Sequence, residues 1–199
     1  MRPRTYKVTA HLTEPVIDAD RHPVMLDSIL AHARALDGDL PPLTRDRDPD
    51  IPLPLDTWET PDGDWAWCAS AATYEPAGYT TVNIRRKPNT DAMARYSPVK
   101  KHHLALGPHK ARDQVLEAVI IHTMTWHIRT STPDRVRELL DRVHGIGRHA
   151  TYGYGTVSRW DITPTDDPDD TAWQARPPQR RHRPPYWHPI NHTKKGGHQ

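Results

Sequence analysis

Proline placement limits this chain more than any other feature. Of its 199 residues, 21 are proline, about twice the average share. Proline fixes φ and removes a backbone donor, so it ends helices and stays out of central strands. Pro41, Pro42, Pro49, Pro52, Pro54 and Pro61 fall between Leu40 and Asp64, and no long regular element survives there. Pro88, Pro98 and Gly107-Pro108 break up 87–110 in the same way, which predicts a long irregular insertion. Regular structure is confined to the windows left between. The hydrophobic share is 35%, against roughly 45–50% in ordinary domains, so the core is expected to be modest.

Within those windows the periodicities are clear. Tyr6–Leu12 alternates with period two and reads as a half-buried strand. Leu26, Ile29, Leu30, Ala33 and Leu36 fall on one face of a helix that Asp37-Gly38 stops. Trp65–Thr73 and Tyr79–Arg86 read as strands, the second rich in Thr, Val and Ile. Gln114–Ile128 allows a buried helix by period alone. Its Val, Ile, Thr and Trp favour one long strand after a short helical lead-in. A second helix follows, with Thr132 as N-cap, Pro133 at its first position, and Val136, Leu139, Leu140 and Val143 as its apolar stripe. Thr156–Ile162 is a last alternating strand. The order β-α-β-β-α-β predicts an α+β ferredoxin-like domain over residues 1–164, with the insertion at about 87–110. Residues 165–199 read as an acidic hinge and a basic, Pro/His-rich tail that does not pack.

The net charge of +2 hides a strong segregation. Arg85–Arg112 holds eight bases and one acid, and Thr171–Gln199 holds six bases, four histidines and no acid. Asp37–Asp64 holds nine acids and two bases. Basic blocks of this kind are the footprint of a polyanion partner. The acidic window predicts a face turned away from that partner or toward a basic protein neighbour. A single cysteine, Cys68, excludes an internal disulfide framework and a zinc site built mainly on thiolates, and it fits a reducing cytoplasm. His182, His188, His192 and His198 are spaced too widely for a compact structural metal site, so no metal or cofactor is expected. No apolar run approaches the ~20 residues of a membrane span, and the N-terminus has no signal-like stretch.

His144–Gly155 lies between the second helix and the last strand and contains Gly145, Gly147, Gly153 and Gly155. A dinucleotide fingerprint needs strand, glycines, then helix, and a phosphate-binding NTPase loop needs Gly-Lys-Ser/Thr opening a helix. Neither order is present. Two readings remain: a helix C-cap followed by a plain turn, or a loop that lets another backbone approach closely. In the second, Arg148 grips phosphate while His149, Tyr152 and Tyr154 offer rings to unpaired bases. Without Phe, the chain lacks the usual aromatic strand motifs of an RNA recognition motif.

The pair Gly145-Ile146-Gly147 and Gly153-Tyr154-Gly155, placed after a second helix, resembles the glycine signature of the repeat-associated RNA-binding (RAMP) superfamily of CRISPR proteins. Three stretches resemble type IV CRISPR subunits in particular: Pro23-Val24-Met25-Leu26-Asp27-Ser28-Ile29-Leu30-Ala31-His32-Ala33, with a Leu-Asp-x-Ile-Leu-Ala motif in the first helix, Gly107-Pro108-His109-Lys110, and Gly153-Tyr154-Gly155-Thr156-Val157-Ser158-Arg159-Trp160. Arg183-Pro184-Pro185-Tyr186-Trp187 is a possible fourth. The resemblance covers residues 6–162, with little support from Gly38 to Thr60.

The resemblance implies a non-catalytic, cytoplasmic subunit of a defence ribonucleoprotein. It would hold the 5′ handle of a guide RNA and cap the backbone filament beside a large or small subunit, meeting target DNA only indirectly. It would contact RNA through Gly145, Gly147, Arg148, His149, Tyr152, Gly153, Tyr154 and Gly155. Arg85, Arg86, Lys87, Lys100, Lys101 and Lys110 would grip phosphates, with 87–109 as a thumb toward the adjacent subunit. The superfamily also contains metal-independent endoribonucleases. If this chain cut RNA, His32 and His149 would be the first candidates for proton transfer. A protein-interaction module built on the Pro-rich tail is a third reading.

Overall fold

Alternation in the first window has the outcome its period demands. Strand β1 (Arg4–Leu12) buries Tyr6, Val8, Ala10 and Leu12 and leaves Lys7 in solvent. A computed structural model describes residues 4–38, 40, 44–45, 51–61, 63–86, 88–96, 112–165, 170–177, 183–186 and 188. After β1 come β2 (Val16–Ile17), α1 (Leu26–Ala35), β3 (Thr57–Glu59), β4 (Trp65–Trp67), β5 (Gly78–Arg86), α2 (Thr90–Tyr96), β6 (Arg112–Ile120), β7 (Thr123–Thr130), α3 (Pro133–Leu140) and β8 (Val157–Pro164). The chain is mixed α and β, and its sheets are antiparallel.

The central sheet has the order β7-β1-β8. Val8 lies opposite Trp126 on one side and Ile162 on the other, and Ala10 lies between Met124 and Trp160. Beyond β7, residues 68–73 run alongside irregularly. Thr73 and Thr125 exchange backbone hydrogen bonds of 2.8 and 2.9 Å, and the Arg129 N–H donates to the Cys68 carbonyl at 3.0 Å. Helices α1 and α3 contribute Leu26, Leu30, Ala33, Val136, Leu139 and Leu140 to the same core. Tryptophan does the work that Phe does elsewhere. The Trp126 and Trp160 rings lie 5.7 Å apart, and both indole N–H groups are satisfied by carbonyls, Val24 at 2.9 Å and Val143 at 3.0 Å.

Four expectations are corrected. The apolar run 114–128 is two strands in two sheets, because the chain turns at Ile121-His122 from an outlying ribbon into the central sheet. β6 pairs with β5 over nine residues, and β7 pairs with β1. Both strands rest on apolar surface, so the run continues across the break. The insertion is not wholly irregular: α2 forms at 90–96, where the Asn89 side-chain oxygen accepts the Ala92 N–H at 2.9 Å. Leu36 falls past the end of α1 and is 64% exposed. Finally, part of the stretch read as a tail packs on the domain: Trp173, Tyr186 and His188 are buried. Ile51, Leu53 and Leu55 in the proline-rich stretch also enter the core, without regular structure.

Candidate functional site

The glycine-rich segment folds back on its own root. The Ile146 N–H donates to the Gly155 carbonyl at 2.9 Å, and Gly145 bridges Thr156. Two glycines are obligatory there. At Gly155, φ is +61° and a Cβ would stand 2.0 Å from the Ile146 carbonyl oxygen; at Gly147, φ is +87° and a Cβ would stand 2.8 Å from Val16 Cγ1. The first lets the two arms of the loop touch. The second lets the loop lie against β2, where Arg148 bridges Ile17. Gly153 sits at the exposed tip of the turn.

That arrangement forms one wall of a cleft of about 840 Å³. The opposite wall is α1, through Ser28, Ala31, His32 and Ala35, and Pro184–Tyr186 closes one side. Arg148 stands at the rim. Its guanidinium donates to Asp18 at 2.9 Å and reaches Gln114 of β6 at 3.5 Å. Gln114 pairs with Ile84, so the loop meets the β5–β6 ribbon one step from Arg85, which is ion-paired to Asp113 at 3.3 Å. Tyr152 is 68% exposed. His149 has positive φ, stacks edge-on to Tyr152 with ring centroids 5.6 Å apart, and buries an Nε2 that has no partner among the described residues.

The structure therefore groups Gly145, Gly147, Arg148 and His32 around one cleft, with Arg85 at the foot of the neighbouring ribbon, while Tyr152 stands in solvent beside His149 and outside the cleft lining. His149 does not line the cleft, although His32 does. Tyr154 is not offered to a ligand in the way the loop pattern implies. It packs against Ile17, Leu116 and Ala118 and anchors the loop to the ribbon. Arg86 lies on β5 opposite Arg112. Lys87, Lys100, Lys101 and Lys110, with the Gly107–Lys110 motif, lie outside the described residues. Among the described residues, no group of three or more His, Cys, Asp or Glu is placed to hold a metal ion, and no helix is long and apolar enough to cross a membrane.

Sequence reasoning missed two acids here. Asp18, at φ +56°, holds Arg148, and nothing in its local sequence signals that. Asp27 is fully buried beneath the cleft wall. The Arg176 guanidinium donates to it at 2.6 Å and to the Trp67 carbonyl at 2.7 Å, and the Tyr186 hydroxyl donates to it at 2.8 Å. Burial pushes the Asp27 carboxyl above its ordinary value, against the pull of Arg176 and Tyr186. Its position three and four residues before Leu30 and Ala31 was the available signal, since that spacing puts it on the apolar face.

No family model matches the chain. No curated protein matches it. Ten chains of known structure are similar to it. One belongs to the cryo-EM structure of the Type III-B Cmr-beta bound to cognate target RNA; it is 10% identical, with a TM-score of 0.39, and the match covers 82% of this chain. The present chain spans 61% of the length of that solved chain.

Proposed function

We infer that this chain is a non-catalytic RNA-binding subunit of a CRISPR ribonucleoprotein of the type IV kind, holding the 5′ handle of a guide RNA at one end of a backbone filament. The observation that carries the reading is the glycine-rich loop. Its backbone is locked by contacts only glycine permits, and it holds Arg148 at the rim of a cleft and Tyr152 in solvent on the same loop. A half-exposed guanidinium and an exposed ring on one loop, with open backbone at the Gly153 tip, are equipment for single-stranded RNA. In this reading the sheet order β8-β1-β7, with 68–73 beyond β7, is a ferredoxin-like plait whose last place is filled irregularly. The β5–β6 ribbon carries the basic insertion toward a backbone subunit, and a large or small subunit completes that end. Target DNA is met only through the guide, in the cytoplasm.

The test replaces Arg148 and Tyr152 by Ala together and leaves the packed Tyr154 alone. Lost stacking and one charge-assisted contact amount to about 2–4 kcal/mol, so affinity for repeat RNA falls at least about 30-fold. Unchanged affinity at low and moderate salt sinks the reading. Repeat RNA incubated with the protein, with or without EDTA, stays intact. A product of defined length would instead give His32, which lines the cleft, a catalytic role.

A further inference from the structure

Arg148 is not a free cation. Asp18 accepts its guanidinium at 2.9 Å and is itself only 10% exposed, whereas the Arg148 side chain is 46% exposed. Asp18 is held where it is. Its N–H donates to the Glu117 carbonyl at 3.1 Å, its carbonyl takes the Arg21 and His22 N–H groups at 3.1 and 3.3 Å, and its φ is +56°. That backbone region is costly for most residues with a side chain but is tolerated by Asp and Asn. Arg21 is 3.9 Å from Asp18 and 2.7 Å from Glu117, so the neighbouring cation is engaged mainly elsewhere. Asp18 also lines both the cleft and a second hollow of about 660 Å³ bounded by Arg21, Tyr79, Thr81 and Glu117. The Asp18–Arg148 pair is thus the ridge between two concavities.

We propose that Asp18 sets the binding threshold of this surface: a fixed charge that cancels about half of the field of Arg148. Simple polyanions are held weakly there, and only a ligand making further contacts across the ridge is retained. This builds on the reading of the loop as an RNA-binding surface. The physical basis is plain. A phosphate reaching Arg148 also meets a carboxylate one ion-pair distance behind it, and because the energy falls with distance the second term offsets about half of the first. Nothing is gained from Asp18 in raw affinity. What it supplies is a threshold: the same repulsion weakens every polyanion, and only ligands with further contacts stay bound.

Asp18→Asn is the first variant, because Asn is at ease at positive φ. Asp18→Gly is the second, because glycine adopts that backbone freely. Each is measured on immobilised heparin and with two RNAs, repeat RNA and an unrelated single strand of equal length. The expected result is elution from heparin at higher salt and about threefold to tenfold tighter binding of the unrelated RNA. The salt slope should steepen by about 0.7, the value for one more phosphate engaged on a single strand. Repeat RNA tightens by a similar factor, so the ratio of the two affinities stays near its wild-type value. In an Arg148→Ala background the same substitutions give a smaller gain, because no guanidinium draws a phosphate to that point. Elution and RNA affinity equal to or lower than wild type in both variants overturn the assignment. Failure of the wild-type protein to prefer repeat RNA would instead count against the functional reading, while the heparin arm still decides the role of Asp18.

Discussion

At the scale of single residues, the decisive object is the buried group of Asp27, Arg176 and Tyr186. The side chains of Asp27 and Arg176 are 0% and 1% exposed. Removing one member leaves the other uncompensated, which costs about 3–5 kcal/mol. Arg176→Ala is therefore expected to lower the melting temperature by roughly 10 °C for a chain of this size, as read by calorimetry. Tyr186→Phe removes only hydrogen bonds and costs about 1–2 kcal/mol. Cys68 gives a second check. Burial pushes its thiol up to about 12, so at pH 8 roughly one in 10⁴ molecules carries the reactive thiolate. A thiol reagent should label the native protein no faster than it unfolds, and the denatured protein within minutes; fast stoichiometric labelling of native protein would contradict the packing. These residues also mark the limit of what the sequence discloses. The position of Asp27 on the apolar side of α1 was legible from spacing. Its partners stand 149 and 159 residues away in a stretch whose prolines and charges read as unpacked, and no local pattern encodes so distant a pairing.

Among the elements, the glycine-rich loop is the most exacting. Gly155→Ala places a methyl group 2.0 Å from a backbone oxygen that cannot move aside. With the positive φ added, the cost is expected to be about 3 kcal/mol or more. Gly147→Ala meets a side-chain methyl of Val16 at 2.8 Å, which can yield in part, so its cost should be about half as large. Thermal melts of the two variants decide the order, and equal melting temperatures would mean the loop is not held as described. The importance of this loop was legible because four glycines in eleven residues have few purposes. The role of Tyr154 was not. An aromatic between glycines looks the same whether it points outward or into Ile17, Leu116 and Ala118. Likewise the β6–β7 break was hidden, because a strand leaving one apolar surface for another keeps the same composition on both sides of the turn. By contrast β1, α1, α3 and β8 followed directly from their periods, since each buries one face against a single core.

For the whole molecule, the C-terminal segment and the domain stand or fall together. A chain ending at residue 165 loses Trp173, Arg176 and Tyr186 at once, exposing Asp27 and one side of the cleft. It is expected to melt at least about 10 °C lower than the full chain, or without a cooperative transition. A truncated protein as stable as the full chain would show that the segment is only appended. The central position of β1 has a consequence in time. It leaves the ribosome well before its partners β7 and β8, which begin at Thr123 and Val157. At 5–20 residues per second, β1 waits on the order of 10 s with both edges unpaired. During synthesis this chain therefore depends on whatever shelters a nascent strand, long before it meets any partner of its finished form.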